Sequence, residues 1–495
     1  MTPTPEQESI ISFLRDDPRS LLISALAGAA KTSTLVLGAH AMPVLPTLAC
    51  AFNKKIADEM AKRFPSHVTS ATMNSLGHRA WGAALSKRLT LNADKMYTLT
   101  LAESERATGA DKSYFSENFA SILRATRLAK SSGYIPASMA TLGKTLCTED
   151  EFIDTLAPQI DSNPDPQFLH FLNKILAASI GEAFSGVIDF DDQIYMSTLF
   201  GGQYTKYPVV LVDEAQDLSP LNHMALSRMV ANRLVAVGDP NQAIYGFRGA
   251  HASSMAVLKD QFQMEELSLS VSFRCPKAVV EVARRRAPHM SAPDWAKPGH
   301  VERLGAWTCA AVPDGAVIIC RNNAPLFSVA MRLIRAGRGV QVVGADLGKS
   351  LILLLEKLGG KGVNCDQRKL LFFIDSWEEE ELSKARDSRK AAIRDRAECL
   401  RVFCEFGADK AEISAYAKHL FSSKGPIQLM TGHKSKGLEF DVVYFLDSFL
   451  IPSKFSLRLA EEGNDAQYQQ ELNLRYVIET RSKDQLYYVT SEDLQ

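Results

Sequence analysis

The sequence is organised around residues 207–250, which read YPVVLVDEAQDLSPLNHMALSRMVANRLVAVGDPNQAIYGFRGA. Residues 208–212 are apolar and rich in β-branched side chains, which predicts a strand buried on both faces. Asp213 and Glu214 follow at its end, where a parallel sheet opens its ligand crevice. Because two adjacent carboxylates are costly there unless a cation or a reaction uses them, we expect a reaction centre at this point.

A second strand is predicted at residues 234–237, and the GDPNQ that follows it brings the amide of Gln242 to the same crevice. Tyr245, Phe247 and Arg248 come next, an aromatic and cationic cluster that a protein core would not need. Aromatic rings stack on bases of any sequence. A hydrolytic centre followed at once by a base-stacking surface indicates a motor that moves on nucleic acid.

The length and the composition limit the class of protein. A chain of 495 residues is too long for a single core and should divide into two to four domains. With 46% hydrophobic and 23% charged residues it has the composition of an ordinary globular protein. The net charge of −1 means that a nucleic-acid site must be a local groove, since bulk charge will not hold the protein to phosphate.

Cysteine spacing and hydropathy bear on metals and on location. The eight cysteines form no CxxC pair and no Cys/His cluster, which argues against a zinc or iron–sulfur site. Scattered thiols fit a reducing, cytoplasmic environment. The N-terminal MTPTPEQES is polar and no run approaches 18 apolar residues, so neither a signal peptide nor a membrane span is predicted.

Near the N-terminus, residues 20–24 are predicted to form a short buried strand that leads into ALAGAA, then Lys31 and Thr32. This order is typical of a phosphate-binding loop, in which backbone N–H groups and a helix N-terminus face the phosphates. Lys31 would neutralise β- and γ-phosphate oxygens, and Thr32 would bind Mg²⁺. The usual pattern has glycines where Ala25 and Ala30 stand, so the match is imperfect.

Several other segments allow more than one interpretation. The basic run 124–130, in a helical stretch, is either a solvated face or a phosphate track. The three carboxylates of residues 188–193 could hold a metal, although a capped helix start explains them better. On spacing alone, core packing is the preferred role of Phe52 and a helix cap that of Asn74. Residues 267–276 are predicted to form a strand, and a second α/β region follows it.

The ordered set of motifs resembles the UvrD/Rep/PcrA family of superfamily 1 DNA helicases. The motifs are ALAGAAKT, AFNKKIADEM, TMNSLG, VDEAQD, GDPNQAIYGFRGA, SFRCP with TGHKSKGLEF, and YVIETRS. The resemblance covers almost the whole chain apart from two helical insertions. It implies two RecA-like α/β domains with parallel sheets, ATP bound in the cleft between them, and single-stranded DNA running across their top.

The resemblance also implies domain boundaries. RecA-like domain 1 would comprise residues 1–85 and 186–275, interrupted by a helical insertion at 86–185. RecA-like domain 2 would comprise residues 276–350 and 421–495, interrupted by a small helical insertion at 351–420. This second insertion is much reduced relative to the family, which argues against robust unwinding by a lone monomer.

For the nucleotide, the resemblance implies a role for each matching position. Gln7 would read adenine and Phe273 would stack on it, while Thr32 and Asp213 would hold Mg²⁺. Glu214 would activate the attacking water, and Gln242 would sense the γ-phosphate. Arg274 and Arg481 would be supplied by the second domain to neutralise charge in the transition state. The remaining nucleotide-binding positions are Ala27, Gly28, Ala29, Ala30, Lys31, Ser33 and Glu439.

For DNA, the matching positions are Phe52, Asn74, Tyr245, Phe247, Arg248 and His433. Phe247 stands where the family usually has tryptophan, and Asn74 where it usually has histidine. The leading interpretation is an ATP-driven, Mg²⁺-dependent 3′→5′ translocase and helicase acting on single-stranded DNA and on single-strand/duplex junctions. The first alternative is a DNA-binding regulatory ATPase subunit that works with a nuclease or another partner. The second is an ATPase that acts on RNA or on nucleotide only.

Overall fold

The computed structural model describes residues 2–51, 54–160, 164–244, 254–360, 362–385 and 387–495. The chain divides into two units. Unit 1 consists of Met1–Ala25 and Ala30–Leu269, and unit 2 consists of Leu26–Ala29 and Ser270–Gln495. All eight cysteines are free thiols. None of the described helices is long and apolar enough to cross a membrane.

Unit 1 is built on a parallel sheet of six described strands in the order β3-β2-β6-β7-β1-β8. Its strands, with the short pair β4 and β5, are β1 (Leu21–Ala25), β2 (Thr47–Ala51), β3 (Val68–Thr72), β4 (Thr90–Leu91), β5 (Val187–Ile188), β6 (Tyr207–Val212), β7 (Val230–Gly238) and β8 (Glu265–Leu269). Its helices are α1 (Pro5–Asp16), α2 (Lys31–Ala41), α3 (Lys54–Arg63), α4 (Met73–Leu85), α5 (Lys95–Arg106), α6 (Gly109–Ser132), α7 (Glu149–Ile160), α8 (Pro166–Ser185), α9 (Asp192–Leu199), α10 (Pro220–Met229) and α11 (Ser254–Gln261).

Unit 2 repeats this architecture, with six described parallel strands in the order β11-β12-β10-β13-β14-β9. The strands are β9 (His300–Arg303), β10 (Val317–Cys320), β11 (Val340–Val342), β12 (Ile427–Thr431), β13 (Phe440–Leu446) and β14 (Ser482–Val489). The helices are α12 (Lys277–Ala283), α13 (Asn323–Arg335), α14 (Ala345–Lys357), α15 (Gln367–Lys384), α16 (Asp387–Cys404), α17 (Lys410–Ser422), α18 (Gly432–Ser435), α19 (Lys454–Glu461) and α20 (Ala466–Glu479).

The predicted fold class, α/β with two parallel sheets, is confirmed. The central strands are buried on both faces, as their apolar runs require; β10 is buried at all four positions and β2 at all five. Helices interrupt both α/β regions, since α5–α8 lie between β3 and β6 in the chain, and α14–α17 lie between β11 and β12.

One strand prediction is wrong. Residues 267–276 do not form a single strand, because β8 ends at Leu269. Beyond it, the hydroxyl of Ser272 accepts a hydrogen bond from the N–H of Cys275, which turns the chain. The N–H of Phe273 donates to the carbonyl of Gly28 instead of to a neighbouring strand.

In the basic run of α6, Arg124 and Arg127 are exposed, as a solvated face requires, whereas Lys130 fits neither predicted role. Lys130 is fully buried, and its ammonium lies 2.6 Å from Asp189 and 2.7 Å from Asp192. Lys95, also buried, donates to Asp192 at 2.7 Å and to the carbonyls of Ser179 and Val187. Lys130 is therefore neither a solvated side chain nor part of a phosphate track. The four charged residues form what we call the buried quartet: Lys95, Lys130, Asp189 and Asp192.

The quartet also qualifies the prediction for residues 188–193. A helix does start there, and Asp189 accepts a hydrogen bond from the N–H of Asp192 at 2.7 Å. The carboxylates of Asp189 and Asp192 are nevertheless bound chiefly by two lysines that come from α5 and α6, distant in sequence. Among the described residues, no group of three or more His, Cys, Asp or Glu side chains could hold a metal ion.

Candidate nucleotide-binding and DNA-binding site

The predicted phosphate-binding loop runs from the end of β1 to the start of α2. Ala30, at the N-cap of α2, has a left-handed backbone (φ 55°, ψ 39°) and makes no side-chain cap. The first N–H groups of α2 are thus left without a capping side chain, which is how a helix N-terminus receives an anion. Lys31, the first residue of α2, adds a positive charge there. For an alanine the left-handed conformation costs roughly 1–2 kcal/mol.

The predicted metal ligands are in contact within unit 1. The hydroxyl of Thr32 donates to Oδ2 of Asp213 at 2.5 Å. Burial, and secondarily the neighbouring carboxylate of Glu214, raises the pKa of Asp213 to about 6, although Lys31 opposes this shift. A buried carboxylate held partly in its neutral form is short of positive charge. Two oxygen ligands with that deficit fit Mg²⁺, which takes few protein ligands and completes its shell with phosphate and water.

Glu214 lies at the end of β6 in a left-handed conformation (φ 54°, ψ 42°). Such backbone strain in a non-glycine residue is concentrated at functional sites. The carboxylate of Glu214 lies 3.6 Å from the ammonium of Lys31 and accepts a hydrogen bond from Nε2 of Gln216 at 2.6 Å. Lysine and amide together hold the carboxylate in a defined orientation, as a general base requires.

A chain of hydrogen bonds continues from Gln216 to the second strand of the predicted crevice. The Oε1 of Gln216 accepts from the N–H of Asp239 at 3.0 Å, and Oδ2 of Asp239 accepts from Nε2 of Gln242 at 2.7 Å. Gly238 makes this approach possible, because a Cβ at that position would lie 2.6 Å from Oε1 of Gln216. Glu214 and Gln242 are therefore connected through two buried side chains.

Gln216 and Asp239 were missed by sequence reasoning. Each stands inside a motif that was singled out, VDEAQD and GDPNQ respectively, so the signal was position within a motif. From the sequence alone, a glutamine or an aspartate in a loop has many possible hydrogen-bond partners. Only the pairing of β6 with β7 brings these two together.

Gln7, which is predicted to read adenine, has both its amide oxygen and its amide nitrogen hydrogen-bonded in this structure. Thr4 caps α1, and Oε1 of Gln7 accepts from the N–H of Thr4 at 3.0 Å in a capping box. Nε2 of Gln7 donates to the hydroxyl of Thr34 on α2 at 2.9 Å. The amide is thereby fixed beside the helix that carries Lys31. Ser33, another predicted nucleotide residue, accepts a hydrogen bond from Arg63 at 2.7 Å.

Unit 2 contains the rest of the predicted nucleotide residues, including the loop segment Leu26–Ala29. The N–H of Ala27 donates to the hydroxyl of Tyr476 at 2.9 Å, and the carbonyl of Gly28 accepts from Phe273 at 2.9 Å. Gly28 has a φ of +75°, and a Cβ there would lie 2.5 Å from the hydroxyl of Ser272. Both facts require glycine at this position. The N–H of Ala29 closes a turn onto Leu26 at 3.1 Å.

The two predicted arginines have different surroundings. Arg274 forms an ion pair with Glu439, with Nε and Nη2 at 2.6 and 2.5 Å from Oε1, so two predicted site residues are brought together. Arg481 is 1% exposed and donates to the carbonyls of Val477 and Leu438. To reach a phosphate, Arg274 must exchange its carboxylate partner and Arg481 must exchange backbone carbonyls.

Of the predicted DNA-binding residues, Phe52, Tyr245, Phe247 and Arg248 lie outside the described residues. Asn74 and His433 are described. The side chain of Asn74 is exposed, and its Nδ2 donates to the carbonyl of Phe190 and to Oε1 of Gln193.

The helix-cap interpretation of Asn74 is wrong, because Thr72 caps α4 by accepting from the N–H of Ser75. His433 lies half-buried in α18.

Two family models match the chain. The UvrD/REP helicase N-terminal domain matches residues 4–263, and the UvrD-like helicase C-terminal domain matches residues 378–493. The F-box DNA helicase protein 1 of Schizosaccharomyces pombe is 27% identical over 98% of this chain and 57% of its own length. The F-box DNA helicase 1 of Gallus gallus is 25% identical over 97% of this chain and 48% of its own length.

The RecBCD enzyme subunit RecB of Mycolicibacterium smegmatis is similar over a shorter stretch. It is 28% identical over 27% of this chain and 14% of its own length. The chain spans about half the length of the F-box helicases that it matches. The N-terminal model alone covers more than half of the chain, and it contains the loop, the acidic pair and the hydrogen-bonded glutamines described above. The chain belongs to the UvrD/REP helicase family.

Proposed function

We propose that this protein is an ATP-dependent DNA helicase that translocates 3′→5′ along single-stranded DNA. The contact network of Lys31, Thr32, Asp213 and Glu214 carries the proposal. It joins a cation at a helix N-terminus, a hydroxyl–carboxylate pair suited to Mg²⁺ and an oriented general base, which are the parts that phosphoryl transfer to water requires. The 3′→5′ polarity rests on the family alone.

In this mechanism Thr32 and Asp213 would hold Mg²⁺, which would supply positive charge to the phosphate oxygens. Lys31 holds the β- and γ-phosphates against the start of α2. Glu214 accepts a proton from the attacking water, and its orientation is maintained by the amide of Gln216 at 2.6 Å. Arg274 and Arg481 are assigned to charge neutralisation in the transition state, where such arginines contribute roughly 10³- to 10⁵-fold in rate.

Coupling to DNA is assigned to the hydrogen-bonded path from Glu214 through Gln216 and Asp239 to Gln242. Gln242 lies only three residues before Tyr245, the first of the predicted base-stacking residues. A change at the phosphate end of this path would alter the position of the segment that binds DNA. DNA binding would in turn reorient Glu214, since coupling between two binding sites is reciprocal.

A second candidate function is a DNA-dependent regulatory ATPase subunit acting with a nuclease. Two observations favour it: the strained Ala30 in the phosphate loop and the partial similarity to a RecBCD subunit. Retention of every charged residue of the nucleotide site favours the helicase. The domain boundaries expected from the sequence, 1–85 with 186–275 and 276–350 with 421–495, and the cytoplasmic location remain part of the proposal.

The test is steady-state ATP hydrolysis with and without single-stranded DNA, for the wild type and Glu214→Gln. Loss of a general base lowers the rate by about 10²- to 10⁴-fold, while ATP binding is retained. Glu281→Gln is the matched control, because that glutamate is exposed and its ion pair is with Arg284. Unwinding of 3′-tailed but not 5′-tailed duplexes supports the polarity. DNA binding with negligible hydrolysis in the wild type would favour the regulatory subunit instead.

A further inference from the structure

Trp295 is an exposed aromatic side chain of unit 2 that no motif accounts for. It is 62% exposed, whereas Trp81 and Trp307 are 1% and 4% exposed and Trp377 is half-buried. Its ring stacks beside that of Phe273, with the centroids 6.3 Å apart and the planes 27° apart. That geometry is within the range of offset-stacked aromatic pairs. A large ring left in solvent beside a predicted base-stacking ring indicates a ligand surface.

The backbone around Trp295 is fixed. The backbone of Ser291 is hydrogen-bonded to the segment that precedes Phe273: its carbonyl accepts from the N–H of Ser272 at 2.8 Å, and its N–H donates to the carbonyl of Ser270 at 3.0 Å. The N–H of Lys277 donates to the carbonyl of Lys297 at 3.0 Å, so the segment is held on both sides of the ring. The ammonium of Lys277 also donates to the carbonyl of Asp294 at 2.8 Å, next to Trp295 itself. The tryptophan is therefore presented on a braced loop.

Phe273 connects this aromatic pair to the phosphate loop. Its N–H donates to the carbonyl of Gly28 at 2.9 Å, and Ser272 and Arg274 are the residues that a Cβ on Gly28 would meet. The segment that carries the two rings is thus hydrogen-bonded to the segment Leu26–Ala29 within unit 2. A nucleotide whose phosphates lie on that segment has its base within reach of the rings.

We propose that Trp295 is a second aromatic residue of the nucleotide-base site and stacks, with Phe273, on the purine of ATP and ADP. The inference rests on the proposed function in that it takes Phe273 to be the base-stacking ring. It goes beyond it by adding a residue that lies 22 positions downstream and outside every quoted motif. The stack acts on binding and not on the chemical step, because it touches the base and not the transferred phosphoryl group.

The experiment is titration of the full-length protein with Mg-ADP, followed by tryptophan fluorescence and by calorimetry. Trp295→Ala should weaken ADP binding roughly tenfold, the weight of one base–aromatic stack, and raise the KM for ATP with kcat unchanged. Trp295→Phe retains a ring and should bind within about twofold of the wild type, but it should lose the ADP-dependent fluorescence change. Trp377→Phe is the matched control and should keep that change.

The outcomes separate this inference from the proposed function. The inference would be overturned if Trp295→Ala bound ADP as tightly as the wild type while Phe273→Ala bound it more weakly. If DNA still stimulated the ATPase of the wild type, the helicase proposal would remain intact. An ADP signal that depends on Trp295, in a protein that DNA does not stimulate, would support the inference and count against the helicase. A fluorescence change that survives in Trp295→Phe but disappears in Trp377→Phe would also overturn it.

Discussion

Unit 1 contains two acidic clusters that look alike in sequence. Residues 188–193 read IDFDDQ and residues 212–217 read VDEAQD, and in each the first aspartate directly follows a strand, β5 or β6. In the first cluster, two buried lysines, Lys95 and Lys130, form ion pairs with the aspartates. In the second, Lys31 lies 3.6 Å from Glu214, and a hydroxyl is bound to Asp213. The difference in neutralisation separates a structural cluster from the one that is proposed to be reactive.

The pKa directions express this difference. Burial alone would raise the pKa of Asp192, but Lys130 and Lys95 outweigh it and hold the pKa below its usual value. At Asp213 burial and the neighbouring Glu214 prevail over Lys31, and the pKa rises to about 6. Carboxylates of the first kind need nothing more. Those of the second kind are stabilised by a cation that arrives, such as the Mg²⁺ ion of a metal–nucleotide complex.

The largest expected contrast comes from replacing one lysine in each cluster. Lys130→Met leaves a buried negative charge uncompensated and should lower the free energy of unfolding by about 3–5 kcal/mol. Lys31→Met should lower it by less than Lys130→Met does, because its pair with Glu214 is longer and partly exposed, but it should lower the ATPase rate by about 10²- to 10³-fold. Denaturant unfolding and steady-state ATPase measure the two effects. Equal stability losses in both variants would remove the distinction between the clusters.

The second contrast is in pH dependence. Because the pKa of Asp213 is higher in the folded state, the folded protein binds that proton more tightly, and its contribution to stability falls as pH rises from about 4 to 6. The side chain in Asp213→Asn is neutral at every pH. The unfolding free energy of this variant relative to the wild type should therefore rise over that interval, by on the order of 1–3 kcal/mol. The lowered pKa of Asp192 has the opposite sign, and its contribution is lost as pH falls.

Thermal unfolding of the nucleotide-free protein between pH 4 and 7 measures this, with Asp192→Asn as the counterpart. Below about pH 6 the wild type should also need more Mg²⁺ to reach half-maximal ATPase activity, since Mg²⁺ must displace the proton of Asp213. A difference between Asp213→Asn and the wild type that does not vary with pH would contradict the raised pKa.

The hydrogen-bonded path provides a third contrast, within the reactive cluster. Gln216→Leu removes the amide that orients Glu214 and should cost about 1.5–3 kcal/mol of transition-state stabilisation, close to 10- to 100-fold in kcat. ATP binding should be unchanged, and stimulation by DNA should be reduced. Gln203→Leu is an exposed control. A Gln216→Leu variant with normal kcat would show that Glu214 needs no support.

The smallest effect is expected at the phosphate loop. Ala30→Gly relieves left-handed backbone strain of roughly 1–2 kcal/mol. It also makes the unfolded chain more flexible, which lowers the stability of the folded state by about 0.5–1 kcal/mol. The net gain should be about 0.5–1 kcal/mol in unfolding free energy, with a lower KM for ATP. Ala29→Gly, which relieves no such strain because Ala29 has no positive φ, should be destabilising. A loss of stability in Ala30→Gly would indicate that the methyl group packs favourably.

Local sequence determined much of this protein. The apolar runs predicted β6 at 208–212 and β1 at 20–24, each within one residue of its observed ends, because strands buried on both faces need continuous apolar side chains. The motif order predicted the residues that are proposed for the nucleotide site. Each of these depends on residues that are close in sequence.

The tertiary structure alone decided which polar side chains meet. Lys130 looked like a surface residue of α6, yet it is buried against Asp189 and Asp192, 59 or more positions away. Asn74 looked like a cap, but Thr72 takes that role and the Asn74 amide reaches Phe190 instead. Whether a charge is neutralised depends on partners within a few ångströms in space, and chain distance does not specify them.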